Sequence, residues 1–340
     1  MNKYLFGNDD DRENNHVHDT VFIKYKDGVI NNAKENIIGC DAINSNALLI
    51  WTCKTISVMY YHVENSVLSF TMNNNNITIT LDSEIKSVNI INTSQQQRIF
   101  VFALNPGYLH IYNYTLVRVR SVPLPLYNDN IISSISIHNT TTNTYNVYYN
   151  TCNSNYLTCL YIDNTLSNII KHKQHLHCSL PYTITTICAV TINNNTNNKV
   201  LICSASTNDT IKVWDFEDKT HFYLKNEQCC PQVIMGFKGR YLISLGNDAV
   251  IRVWSLKELK LIKMLIHKTC ILNVCCFGNK YVMASTIDGD VILWDEKFNE
   301  VVNENGKHVN STVKFIYSWE KDERVIGYVE AMKKYIIIYI

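Results

Sequence analysis

An all-β chain built from repeated sheets is what this sequence predicts, and three observations predict it. Tryptophan recurs at a fixed interval: the stretches "CSASTNDTIKVWDF", "ISLGNDAVIRVWSL" and "MASTIDGDVILWDE" place Trp214, Trp254 and Trp294 at steps of 40 residues. The position six before each Trp is Asn208, Asp248 or Asp288, inside a small polar cluster that follows an apolar strand. An alternating segment then runs into the Trp, the signature of a strand with two unlike faces. A period of ~40 to 45 residues is that of a four-stranded propeller blade, so the chain is read as a β-propeller.

The repeat explains itself locally. Asp or Asn before a tight hairpin hydrogen-bonds its own backbone, and Gly289 supplies the unusual dihedrals in the one copy that has it. In these residues the chain resembles the WD40 repeat family. With that frame, weaker copies place Met59 or Tyr60, Tyr112, Leu160 or Tyr161, and Tyr339 where the Trp stands, which makes seven units with a mean spacing near 47 residues. Asn-rich tracts at 73–76 and 193–198 absorb the wider gaps. Strands are expected at 271–277 and 313–318 ahead of the last two hairpins, and at 259–266 after Trp254.

The chain stops one residue after Tyr339, so the seventh unit lacks an outer strand. The alternating "TVFIKYK" of residues 20–26 is assigned to that edge, closing the ring by the strand exchange that the resemblance implies; closure protects sheet edges that an open array exposes. The expected organisation is a disordered arm over 1–19 and a single WD40-like seven-bladed β-propeller over 20–340.

Composition narrows the function classes. The formal net charge is +1, from 31 basic and 30 acidic residues, so no global field draws the chain to nucleic acid or an anionic membrane, and direct nucleic-acid binding is not expected. The N-terminal "MNKYLFGNDDDRENNH" holds only a three-residue apolar cluster, and the longest pure apolar run, 335–340, is too short to span a bilayer. Twelve cysteines without a secretory leader read as reduced thiols packed as small hydrophobes. The expected location is the cytoplasm, the nucleus or both.

Candidate site residues fall into two groups. His267, Ser285, Asp288 and Trp294 match the structural hydrogen-bond network of the WD40 repeat, with His267 lying 21 residues before Asp288. Asp248 with Trp254, and Asn208 with Trp214, are the same network in part. A His, Asp and Ser set invites a hydrolase reading, but the resemblance places these residues inside a blade, away from any substrate. The second group is "KHKQHLHCSLP", with His172, His175, His177 and Cys178 within seven residues, types suited to zinc or copper. No second ligand pair accompanies it, and it reads as a solvated connection between blades. Lys212 and Arg252, two residues before their Trp, read as surface cations with packed stems. There is no P-loop, dinucleotide loop, HExxH or GxSxG. No catalytic, cofactor-binding or metal site is therefore expected.

What the resemblance implies is a monomeric, non-catalytic scaffold or adaptor subunit that binds other proteins in a complex through its loops. Glu217 and Lys297 stand where WD repeats similar to those of ubiquitin-ligase substrate receptors carry Arg. Two alternatives accompany this reading. The stretches "IHKTCILNVCCFGNKYVMASTIDGDVILWD" and "YVEAMKKYIII" look like parts of the non-catalytic WD-repeat subunit of a tRNA guanine-N7 methyltransferase. The other alternative is a metal-binding or enzymatic propeller centred on residues 172–178.

Overall fold

A computed structural model describes residues 38–339, apart from 45–46, 65–66, 71–76, 93–96, 104–106, 125–130, 140–141, 153, 167–168, 194–197, 226–228, 278, 302–312, 320–323 and 330–333. The described residues form seven antiparallel sheets in chain order. Sheets 2 to 6 have four strands each in sequential order; the first has five, and the last has three. Sheet 4 runs Ile184–Asn193, Asn198–Ser206, Thr210–Asp215 and Thr220–Lys225. Sheet 5 runs Pro231–Phe237, Tyr241–Gly246, Ile251–Ser255 and Lys260–Leu265, and sheet 6 runs Ile271–Phe277, Tyr281–Thr286, Val291–Trp294 and Glu300–Val301. The strands expected over 271–277, 313–318 and 259–266 are found at Ile271–Phe277, Val313–Trp319 and Lys260–Leu265.

The first strand of each sheet lies next to the first strand of the following sheet. The series returns on itself, because Gly39–Asn44 of sheet 1 lies beside both Ile85–Asn92 of sheet 2 and Val313–Trp319 of sheet 7. The first strands therefore form the inner ring and the fourth strands the rim. In sheets 2 to 6 the inner strand carries a bulge near its start, as at 85/87, 131/133 and 184/186. A bulge increases local twist, and the repeated device turns each strand as it enters the ring. Residues 1–19 and the closing strand expected at 20–26 lie outside the described residues.

Apolar clusters fill the gaps between successive sheets. Tyr148, Leu157 and Cys159 of sheet 3 meet Ile184, Ile202 and Trp214 of sheet 4. Leu201, Val213 and Leu224 of sheet 4 meet Leu242 and Trp254 of sheet 5, and Ile243 and Val253 of sheet 5 meet Val282 and Trp294 of sheet 6. Each Trp thus packs toward the preceding sheet. Tyr112 does the same in sheet 2, against Leu49 and Ile56, and Leu160 does so in sheet 3, against Phe100 and Leu109. Of the pair Leu160 and Tyr161, Leu160 takes the Trp orientation, and Tyr161 faces sheet 4.

The hairpins between second and third strands use one conformation in three copies. Asp209, Ala249 and Gly289 all have positive φ, at 64°, 58° and 86°, and their amides bond Ser206, Gly246 and Thr286 carbonyls. Only glycine takes this region without a Cβ penalty. Ala249→Gly is expected to stabilise the protein by about 0.5–1 kcal/mol, and Gly289→Ala to destabilise it by a similar amount, as read from urea unfolding.

Candidate functional site

The end of each sheet that carries this hairpin also carries the loop arriving from the previous sheet. Inner strands start there, second strands end there, third strands start there and fourth strands end there, because all neighbours are antiparallel. One backbone bond staples loop to hairpin in each copy: Thr207 N to Thr183 O, Asn247 N to Cys230 O, and Ile287 N to Cys270 O, at 2.9, 3.1 and 2.9 Å. The side chains beneath these staples differ from copy to copy.

In sheet 4 they form a directed chain. Trp214 Nε1 donates to Ser204 Oγ at 2.8 Å, and Ser204 Oγ meets His177 Nδ1 at 2.6 Å. On the other side of the ring, His177 Nε2 meets Thr210 Oγ1 at 3.4 Å, and that hydroxyl donates to Asn208 Oδ1 at 2.5 Å. One arrangement satisfies the chain throughout: Ser204 accepts from the indole and donates to Nδ1, and the imidazole proton sits on Nε2 toward Thr210. In that arrangement Trp214, Ser204, His177 and Thr210 each donate once, and Asn208 Oδ1 ends the chain as an acceptor. Burial together with the Lys212 charge pulls the His177 pKa down to about 3.

Lys212 is buried, so it is not the surface cation the sequence suggests. Its ammonium donates to the Leu176 carbonyl at 2.9 Å and stands 3.9 Å from the centre of the Trp214 ring. A ring face and a carbonyl together replace part of the lost hydration. Arg252 is buried as well, and its guanidinium pairs with Asp248 and donates to Cys229 Sγ at 3.3 Å. Hydrogen bonding from Arg252 holds the Asp248 carboxyl down to about 2, and burial pushes the Cys229 thiol up to about 11. Cys229 lies against Gly246, as Cys178 lies against Ser206 in sheet 4. Gly246 is required by it, because a Cβ there falls 1.7 Å from Cys229 Sγ. Trp254 Nε1 still donates to Ser244 Oγ at 2.8 Å, as Trp214 does to Ser204.

In sheet 6 the structure places His267 half-buried with Nδ1 3.0 Å from Thr269 Oγ1, in its own loop. Asp288 is exposed at the hairpin, while Ser285 and Trp294 are buried. The residues missed as network members are His177, Ser204 and Thr210. His177 lies 31 residues before Asn208, against 21 for His267 and Asp288, and a template fixed at 21 passes over it.

The His-rich stretch is not a connection between blades. Ile169–Leu176 is the fourth strand of sheet 3, and only His177 and Cys178 lie beyond it. A rim strand has one neighbour and tolerates polar residues on much of its surface, which makes its sequence read as a loop. His175 packs edge-on against Trp214 and Phe216, and Cys178 Sγ donates to Tyr182 O at 3.3 Å. Among the described residues no three His, Cys, Asp or Glu side chains converge as a metal-ligand set. Ser204 is fully buried and accepts from Trp214, so the His177 and Ser204 pair has no path to a substrate.

The loop-and-hairpin end of sheets 4 and 6 presents large apolar side chains to solvent. Leu180 (72% exposed) and Tyr182 precede the inner strand of sheet 4. Ile266 (64%), Leu272 and Ile287 (55%) surround the staple of sheet 6. Several large apolar side chains exposed at one end of a rigid support make that end a candidate interaction site.

Two outcomes follow from the sheet 4 chain. Ser204→Ala leaves the Trp214 N–H and His177 Nδ1 without their partner and is expected to cost about 2–3 kcal/mol in urea unfolding at pH 8. His177 is neutral in the folded protein down to about pH 3, whereas the unfolded chain takes up its proton near 6.5. The unfolded state therefore binds more protons between these values, and stability falls as the pH is lowered through that window, by about 1.4 kcal/mol per unit from this group. His177→Asn is expected to be less stable at pH 8 and to show a flatter stability profile between pH 6.5 and 5.

No family model matches the chain. It is 32% identical over 103 residues to the F-box/WD repeat-containing protein sel-10 of Caenorhabditis elegans; the match takes in 29% of this chain and 18% of that relative's length. The chain therefore spans about a fifth of the curated relative. Among solved structures it is similar to the WD40 β-propeller domain of Doa1, with a TM-score of 0.63 over 93% of this chain and 97% of that one. It is similar also to the RRP9 WD40 repeats, with a TM-score of 0.68 over 94% and 99%. Both are 10% identical, a likeness of fold alone. With seven sheets in a ring and these neighbours, the chain has the WD40-type β-propeller fold.

Proposed function

We propose that this protein is a non-catalytic scaffold subunit that holds partner proteins within a complex. The fold suggests a protein-interaction scaffold, and the observation that carries the reading for this chain is the apolar patch of Ile266, Leu272 and Ile287. It sits on a loop stapled to its hairpin, so binding there requires little ordering. Leu180 and Tyr182, before the inner strand of sheet 4, are exposed at the same end of the ring. The net charge of +1 does not favour nucleic acid. No helix among the described residues is long and apolar enough to cross a membrane.

The test is affinity purification of the tagged full-length protein beside Ile266→Asp/Ile287→Asp. Both positions are exposed, so the variant is expected to melt with the parent and to lose a stoichiometric partner. Retention of the same partners, or recovery of the parent alone, overturns the reading. Co-purification of a tRNA guanine-N7 methyltransferase subunit would identify the complex as the one the C-terminal third resembles.

A further inference from the structure

The rim strands are not equivalent. The fourth strands of sheets 2, 3 and 5 each carry a register shift where they pair with the third, at 111/112, 161/162 and 253/254. The fourth strand of sheet 6 has two residues, and the outer side of sheet 1 is divided between two strands of four. Bulges and short strands are the usual protection of a sheet edge against pairing with another chain. Thr220–Lys225 in sheet 4 has neither: its six residues pair with Thr210–Asp215 in unbroken register. The last strand of sheet 7 is also regular, but its edge is the one assigned to residues 20–26.

This edge is exposed and chemically patterned. Thr220 to Tyr223 and Lys225 are exposed, and Leu224 alone is buried. Phe222 and Tyr223 present aromatic rings on opposite sides of the strand, and Tyr223 is held by the Lys212 ammonium 5.0 Å from its ring centre. Lys219 and Lys225 flank the pair, while the acid nearest the turn, Asp218, is already bound by Lys199. Pairing with a second copy of the same strand in antiparallel sense brings Lys225 of each copy beside Lys219 of the other, and like charges across strands are unfavourable.

We propose that Thr220–Lys225 accepts one extended segment of a partner protein as a fifth strand, apolar at its centre and carrying Asp or Glu at both ends. Main-chain bonds to this edge, which no other described strand pairs, supply affinity; the alternating apolar side chains pack on Phe222 or on Tyr223, whichever ring shares their side of the sheet, and Lys219 and Lys225 select the acidic flanks. The inference supposes a protein partner, as the scaffold reading does, but on a different surface. Failure of one is therefore separable from failure of the other.

The experiment titrates the full chain against a fluorescent peptide, Glu-Glu-Val-Thr-Val-Thr-Val-Glu-Glu, and against its counterpart with Lys in place of Glu, while hydrogen exchange is followed over residues 210–225. The acidic peptide is expected to saturate and to bind about tenfold tighter than the basic one, with slowed exchange confined to residues 210–225. Lys219→Glu/Lys225→Glu, both at exposed positions, is expected to reverse the preference at unchanged melting temperature. Ile266→Asp/Ile287→Asp is expected to leave the peptide affinity unchanged. Equal affinity for the two peptides, protection outside the 210–225 strands, or no saturable binding overturns the proposal. So does a concentration-dependent dimer abolished by Tyr223→Asp, which gives the edge to a second copy.

Discussion

Each sheet of this protein is pressed between two others, and that constraint governs the rest of the structure. A sheet with one wet face alternates apolar and polar residues, whereas one covered on both faces must be apolar at every position. The middle strands are covered on both faces: all eight residues of Thr144–Thr151 and all five of Ile251–Ser255 are buried, and the polar ones among them are hydrogen-bonded, as Asn146 is by Thr144 and Asn150 by Ser133. Arg252 lies inside such a strand, and it is tolerated there because Asp248 and the Cys229 sulfur meet its guanidinium. The rim strands are released from the constraint on one side, and Lys, His and Gln collect there.

The Trp at the end of the third strand serves this sandwich. Its ring fills the gap toward the preceding sheet, and its N–H needs an acceptor once buried. Ser204 and Ser244 provide one from the adjacent second strand. What lies beyond the serine is free to vary, since the indole is already satisfied. Sheet 4 continues the chain through His177 and Thr210 to Asn208, and sheet 5 replaces it with a compact Arg252, Asp248 and Cys229 cluster. One backbone staple thus rests on two unlike side-chain solutions. This explains why the staple, and not the histidine, is the common element of the three copies.

The parts of the fold legible in the sequence are those that the sandwich leaves no freedom to change. Trp214, Trp254 and Trp294 stand at equal steps because the first two strands of sheets 5 and 6, Pro231–Gly246 and Ile271–Thr286, cover equal lengths of chain. Where Tyr112 or Leu160 fills the same gap, volume alone is conserved and the repeat shows only once a frame is known. Positive φ at Asp209 and Ala249 has no glycine to announce it, and only Gly289 betrays the conformation. The candidate site was less legible. His177 is displaced from the expected spacing by the longer first hairpin of sheet 4, and the polar text of Ile169–Leu176 hides a strand. Burial of Lys212 was not legible at all, since its partners are a carbonyl and a ring face that leave no mark in the local sequence.

Rigidity and exposure are divided in the same way between the two ends of each strand order. Inner strands are locked to neighbours on both sides of the ring, and the loops above them are tied to hairpins by a main-chain bond, so the apolar side chains they carry are presented in one arrangement. At the rim the sheet has a free edge and every blade must either spoil that edge or cover it. Bulges spoil it in sheets 2, 3 and 5, and brevity does so in sheet 6. Sheet 4 keeps a straight edge although it is the sheet with the most elaborate internal hydrogen bonding. A bulge opposite Trp214 would move His221 off the ring it packs against, 5.8 Å between centroids, and would shift Tyr223 from above Lys212. The regular edge is thus tied to the buried cation: the ammonium that depresses His177 also fixes the ring at the rim, and the interior chemistry of sheet 4 decides the shape of its outermost strand.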